Sequence, residues 1–211
     1  MDSLATSPGP APSKLQIPSR RWLKNHPLAT ARLLIEPISS ARSLAFFLAV
    51  EKSRAALAQW LPWVPYNDSP DASLRYTRAC EADWDRGAAV RFFLQLKTAP
   101  EIVGVVSLEN CNSAHRSCDL GYWLSAPQHG KGLMKEATVA MVDYAFSQMG
   151  VHRLRAAAAL DNVPSRRLIE SLGFQTEGIA RDAEFVAGRW VSHAVYSLLS
   201  SDQQVVPDAD S

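Results

Sequence analysis

The sequence predicts an α/β protein of the α+β kind, with one mixed, mostly antiparallel sheet of about seven strands and helices packed on it. Three observations carry that reading. Short β-branched and aromatic runs alternate with amphipathic stretches of helical period. Three strand-like runs in the middle, "AVRFFLQLK", "EIVGVVSLEN" and "SCDLGYWLS", follow one another across short connections, the pattern of an antiparallel meander. A strand, a long helix and another strand then come in succession, and that order makes a right-handed parallel crossover.

Residues 1 to about 27 are rich in Pro and Ser, and such a stretch buries too little apolar surface to order itself. It reads as a flexible tail, with covering of a partner subunit as another use. The folded domain is expected over 28–200, followed by a polar tail over 201–211. The domain opens with the strand "ATARLLIEPIS", ended by Pro37. "SSARSLAFFLAVEKSRAALAQW" reads as one helix with Ser39 or Ser40 as N-cap. The Pro-rich loop "LPWVPYNDSP" follows. Ser69-Pro70, a cap and then proline in the first turn, opens a helix that runs to about Arg86.

After the meander, Leu133, Ala137, Met141, Tyr144, Ala145 and Gln148 fall on one face of a helix that ends at Gly150. The alanines of "HRLRAAAAL" leave helix and strand open by propensity. Its shortness and its bounds, Gly150 and Asp161-Asn162, favour a strand. "NVPSRRLIESLG" reads as a helix capped by Asn162 and stopped at Gly173. "FQTEGIA" and "WVSHAVYSLLS" are the last two strands.

A length of 211 residues suits one domain with a sizeable core. Hydrophobic content of 47% and charged content of 20% are ordinary for a soluble globular protein. The net charge of +1 argues against broad, charge-driven binding to nucleic acid or anionic membrane. No apolar run approaches the ~20 residues of a membrane helix, and the N-terminus lacks the apolar stretch of a secretory signal. Cys80, Cys111 and Cys118 make an odd set without metal-ligand spacing. They read as ordinary thiols in a reducing cytoplasm, with no disulfide framework and no metal.

The chemistry points to "HGKGLM". A helix N-terminus leaves its first N–H groups without partners and carries about half a positive charge, and a phosphate group satisfies both. Glycine lets the backbone approach an anion closely. Gly130 and Gly132 flank Lys131 where a strand hands over to a helix. A plain strand-to-helix turn is the alternative. The P-loop pattern G-x-x-x-x-G-K-[ST] and the G-x-G-x-x-G fingerprint are both absent.

Three ordered segments, "LGYWLSAPQHGKGLMKEATVAMVDYAF", "DNVPSRRLIESLGF" and "RDAEFVAGRWVSHAVYSLL", resemble the GNAT superfamily of N-acetyltransferases, in its RimJ/RimL-like branch. The resemblance runs from about Ala31 to Ser200. It implies helices on both faces of the sheet and a parallel, splayed strand pair at an acetyl-CoA site. The family's [QR]-x-x-G-x-[GA] turn, which binds the pyrophosphate, corresponds to His129, Gly130, Lys131, Gly132, Leu133 and Met134. His129 stands where Gln or Arg is usual and Met134 where Gly or Ala is usual. The resemblance further implies that Trp123, Leu124 and Ser125 hydrogen-bond the pantetheine arm like an added strand. It also implies that Asn162 contacts that arm besides capping its helix.

Acetyl transfer needs a neutral amine and a stabilised leaving thiolate. At pH 7 roughly a tenth of an α-amine is neutral, against about four in ten thousand for a lysine amine. By resemblance, Glu184 is the general base and Ser165 donates to the departing thiolate. A solvated glutamate and a first-turn helix serine are the plain alternatives. By the same resemblance Trp60 and Trp63, in "QWLPWVPY", lie near the acceptor cleft, where rigid aromatics can stack on a substrate. A hydrophobic plug over the sheet is their other reading. Glu109 can face the acceptor, or be a surface strand-end acid. His115 and Asp119 are assigned to structure or solvent, and His193 to the last strand. The implied function is transfer of acetyl from acetyl-CoA to a primary amine, an α-amine of a protein N-terminus or of a small compound. A non-catalytic acyl-CoA-binding sensor or scaffold and a nucleotide-binding protein of another class are the competing readings. A homodimer is implied by resemblance only.

Overall fold

A computed structural model of the chain describes residues 14–202. The meander forms as its alternation requires: β3 (Val90–Leu96), β4 (Ile102–Asn112) and β5 (Ser117–Leu124) pair antiparallel in sequence order. β1 (Leu28–Ala29) and β2 (Leu33–Pro37) extend the sheet on the β3 side. β6 (Arg153–Ala159), β7 (Gln175–Val186) and β8 (Arg189–Leu199) extend it on the other. The full order is β1-β2-β3-β4-β5-β6-β8-β7, one strand more than expected because β1 adds a short edge. Among the described residues only β5 and β6 run parallel.

The helices are α1 (Arg20–Asn25), α2 (Ser43–Glu51), α3 (Arg54–Leu57), α4 (Pro70–Asp85), α5 (Leu133–Ser147) and α6 (Val163–Ser171). Consecutive strand residues point to opposite faces. Thus Phe92 and Leu94 pack with Met141 and Ala145 of α5 and Ile169 of α6, while Phe93 and Trp123 pack with Phe46 and Val50 of α2 and Cys80 of α4. Helices therefore cover both faces. On α5 the predicted stripe is buried except for Gln148, which faces solvent one residue beyond the helix.

Two expectations need correction. The single helix read over "SSARSLAFFLAVEKSRAALAQW" is broken: a 3-10 turn capped by Ser39 leads into α2, and the chain turns at Lys52-Ser53 before α3. The break exposes the Ser53 hydroxyl to a specific use, because it accepts the Ala126 N–H at 2.9 Å, just past the end of β5. Second, the tail read over 1–27 folds onto the domain from Lys14 onward. Ser19 caps α1, Leu23 is fully buried, Leu15 nearly so, and Trp84 Nε1 donates to the Pro18 carbonyl at 2.7 Å. Averaged composition hid these few apolar anchors among prolines. Residues 1–13 of that tail, and 203–211 of the C-terminal one, lie outside the described residues. The cysteines are free thiols, as expected, and those of Cys111 and Cys118 are neighbours. They meet across β4 and β5 at 3.1 Å.

The parallel pair matters most for the site. Ser117, Cys118 and Asp119 pair with Arg153, Leu154 and Arg155, and there the pairing stops. Beyond that point β5 continues against β4, and β6 against β8. The two strands separate where Arg155 meets Asp119 at 3.2 Å.

Leu23→Ala is expected to lower the free energy of unfolding by about 2–5 kcal/mol, the cost of emptying a fully buried leucine site. Urea denaturation of the full chain measures it, and a midpoint equal to wild type would return α1 to the status of a loose tail.

Candidate active site

The separation of β5 from β6 opens a cavity of about 180 Å³. The loop Gln59–Leu61 bounds it on one side of the sheet and α6 on the other, through Asn162 and Ser165. Its walls are small and apolar, Ala157 to Ala159 with Val186 and Val191, and its ionisable side chains are Tyr122, Glu184 and His193. A larger open groove of about 1080 Å³ runs beneath α1 and contains none of the predicted site residues.

Glu184 was expected in a loop; it stands in strand β7. Ala180 lies across from His193 and Glu184 across from Val191, so four steps along β7 match two along β8. This bulge is held by Asp182, at φ 45, whose N–H reaches Ser192 Oγ at 3.0 Å. It re-aims the strand and sets Glu184 beside His193, with Oε2 and Nε2 3.6 Å apart.

Ser165 sits in the first turn of α6, where Asn162 Oδ1 accepts its N–H at 3.2 Å, the predicted cap. Its Oγ lies 2.9 Å from Tyr122 Oη. Burial pushes the Tyr122 hydroxyl up to about 12, so the phenol stays protonated and neutral at working pH.

The glycine turn is built for positive φ: Gly130 has φ 74 and Gly132, the residue before α5, φ 73. Among the described residues the N–H groups of Gly130, Lys131, Gly132, Leu133 and Met134 donate to nothing. A Cβ on Gly130 would meet no atom within 4 Å, so the space before these donors is open. Met134 turns its side chain into the core, which explains how methionine replaces a small residue there. His129 donates an Nε2–H to the Leu124 carbonyl at 2.9 Å and so ties the turn to the end of β5. The turn is braced by Arg32, which donates to the Lys131 carbonyl at 2.8 Å and to Glu136 at 2.6 Å. Burial alone would raise the Glu136 carboxyl, but hydrogen bonds from Thr30 and Arg32 outweigh it and hold the group below the usual range.

Of the strand residues, Ser125 spends its N–H on Val103 O of β4, at 2.7 Å. Alternation then turns the main-chain groups of Tyr122 and Leu124 toward the gap. The Leu124 carbonyl is engaged by His129, and Trp123 buries its ring in the core shared with Phe46. The expectation for Trp123 to Ser125 therefore narrows to the Leu124 N–H, and the main-chain groups of Tyr122, outside that expectation, face the gap beside it.

Two further site residues are corrected. Trp63 stacks on Tyr76 at 5.7 Å and on Phe46 at 6.1 Å, away from the cavity, whereas Trp60 packs against Ala159, Val186 and Val191 at its wall. Glu109 is held by Arg91 through bonds of 2.8 and 2.6 Å and does not line the cavity. The sequence reading missed Tyr122, His193 and Arg32. The shared parity of His193 with Val191 was the available signal for one of them. Among the described residues no cluster of three His, Cys, Asp or Glu could hold a metal ion, and no helix is long and apolar enough to cross a membrane.

With this geometry in place, comparison with known proteins is decisive for class. The Acetyltransferase (GNAT) domain matches residues 32–175. The chain belongs to that family and is an acetyl-CoA-dependent N-acetyltransferase, related to enzymes of the RimJ/RimL type. YdaF of Bacillus subtilis (strain 168), assigned as a ribosomal N-acetyltransferase, is 29% identical over 80% of this chain and 90% of its own. The [Ribosomal protein uS5]-alanine N-acetyltransferase of Escherichia coli (strain K12) is 34% identical over 56% of this chain and 61% of that protein. The crystal structure of ribosomal-protein-S5-alanine acetyltransferase from Vibrio fischeri superposes with a TM-score of 0.78 at 24% identity, over 83% of this chain and 97% of that one.

Gly132→Val is expected to raise the Kd for coenzyme A about ten-fold or more, because a β-branched residue resists φ 73 and crowds the free amides. Calorimetry with the folded variant measures it; an unchanged Kd would remove the turn from the binding site.

Proposed function

We propose that the protein acetylates the α-amine of a polypeptide N-terminus whose first residue is small, with Glu184 as general base and Ser165 as donor to the departing sulfur. The observation that carries the reading is the convergence of Glu184 and Ser165 on one small gap between parallel strands. The free amides from Gly130 to Met134, at the positive end of α5, suit a diphosphate. The outward groups of Tyr122 and the Leu124 N–H suit the amides of a pantetheine arm.

Acetyl-CoA supplies the thioester. Glu184 receives the proton lost by the amine as it attacks. Ser165 Oγ donates its hydrogen bond to the sulfur, and Tyr122, neutral and fixed on β5, holds that hydroxyl in place. An α-amine with pKa near 8 presents enough neutral form for one carboxylate to suffice, which a lysine amine does not. The cavity volume and the alanine and valine walls leave room for a short first side chain. Glu184 is the one acid among the described lining residues, which disfavours a polyamine needing several counter-charges. Relatives named for acetylating the alanine of ribosomal protein uS5 support a protein acceptor.

The test is a panel of peptides with Ala, Ser, Leu or Lys at the N-terminus, set beside free small amines and read by mass spectrometry. Ala and Ser peptides are expected to be acetylated at the α-amine, faster as pH rises from about 6 to 8 while the amine deprotonates. Turnover confined to small amines would defeat the protein-acceptor reading. Glu184→Gln is expected to lower kcat by about 10²–10⁴ with coenzyme A affinity retained, and full activity would take the base away.

A further inference from the structure

We infer that His193 is a positioning residue for Glu184: it orients the carboxylate toward the incoming amine. The inference rests on the reading of Glu184 as base and adds a second residue to it. Glu184 stands on an exposed stretch of β7, and His193 is its one partner among the described residues. A carboxylate without a partner samples several rotamers, and misplacement of a reacting group by about 1 Å can cost 100-fold in rate. His193 sits on the neighbouring strand, its side chain 19% exposed, on the same face as Val191 and the cavity. The separation of 3.6 Å is long for a hydrogen bond, as unliganded catalytic pairs often are before the substrate closes them.

An Nε2–H directed at Oε2 occupies one carboxylate oxygen and leaves Oε1 for the amine proton. The other groups around the imidazole do not compete. β6 offers only Ala157 to Ala159, Tyr122 on β5 is neutral, the loop offers Gln59 and Trp60, and Arg189 is paired with Asp161 at 3.2 Å.

The experiment measures kcat and KM from pH 5.5 to about 9 for the full chain with acetyl-CoA and an alanine-initiated peptide. Wild type, His193→Ala, His193→Gln and Glu184→Gln are compared, each checked for folding by thermal unfolding. His193→Ala is expected to lower kcat by about 10- to 100-fold with little change in KM for acetyl-CoA. His193→Gln keeps an N–H donor at that position, so it should restore most of kcat. Added to Glu184→Gln, neither change should matter further. A Glu184→Gln enzyme with undiminished kcat would overturn the base and this proposal together. An inactive Glu184→Gln beside a His193→Ala enzyme with wild-type kcat would overturn this proposal alone.

Discussion

Everything in the site depends on one broken ladder. Backbone pairing between β5 and β6 lasts for three residues on each strand and then ceases. In a folded interior a strand edge with unpaired N–H and C=O groups is costly, so such an edge demands a partner. Parallel strands joined through α5 and held at one end by Cys118 and Asp119 can diverge without losing their outer neighbours, since β4 and β8 continue to pair with them. The gap is thus stable because the sheet on either side of it is complete, and it is shaped for an amide-bearing chain because main-chain groups line it.

Around that gap, elements distant in sequence are tied by single contacts. Ser53, at the break between α2 and α3, holds Ala126 at the end of β5. The loop that carries Trp60 and the strand that faces the gap therefore share a fixed point. His129 holds Leu124, so the glycine turn and the same strand end share another. A site assembled this way has the Trp60 wall, the gap between β5 and β6 and the glycine turn registered to one strand terminus. That is what a direct transfer between two bound molecules requires, because the rate depends steeply on their separation and angle.

Much of this was legible in the chain. The meander showed in period-two alternation, α5 in its apolar stripe, and the cradle in two glycines placed where only positive φ serves. Asn162 announced its cap by position. What stayed hidden had physical reasons. The helix over residues 39–60 carries no proline or glycine at Lys52-Ser53, so the break is set by a tertiary hydrogen bond that periodicity cannot see. The Pro-rich opening conceals Leu15 and Leu23 because propensity sums over residues while anchoring needs only two. Trp60 and Trp63 look alike in "WLPW", yet one faces the cavity and the other a stack of Phe46 and Tyr76. Glu109 looked available until Arg91, eighteen residues earlier in the chain, claimed both its oxygens. Glu184 was found by motif, but the bulge that aims it is invisible without β8.

The Arg32 brace has a consequence for assembly. Arg32 precedes β2, near the beginning of the fold, and its partners Lys131 and Glu136 lie about a hundred positions later. Contacts between such distant points form only after the intervening chain has closed a large loop, which makes them slow to arrive. The glycine bend is therefore a late product of folding rather than a local habit of "HGKG". On the proposed reading of the turn, a nascent chain lacking its final geometry has no preformed grip on the nucleotide end of the co-substrate, and ligand occupancy would serve as a report of completed folding.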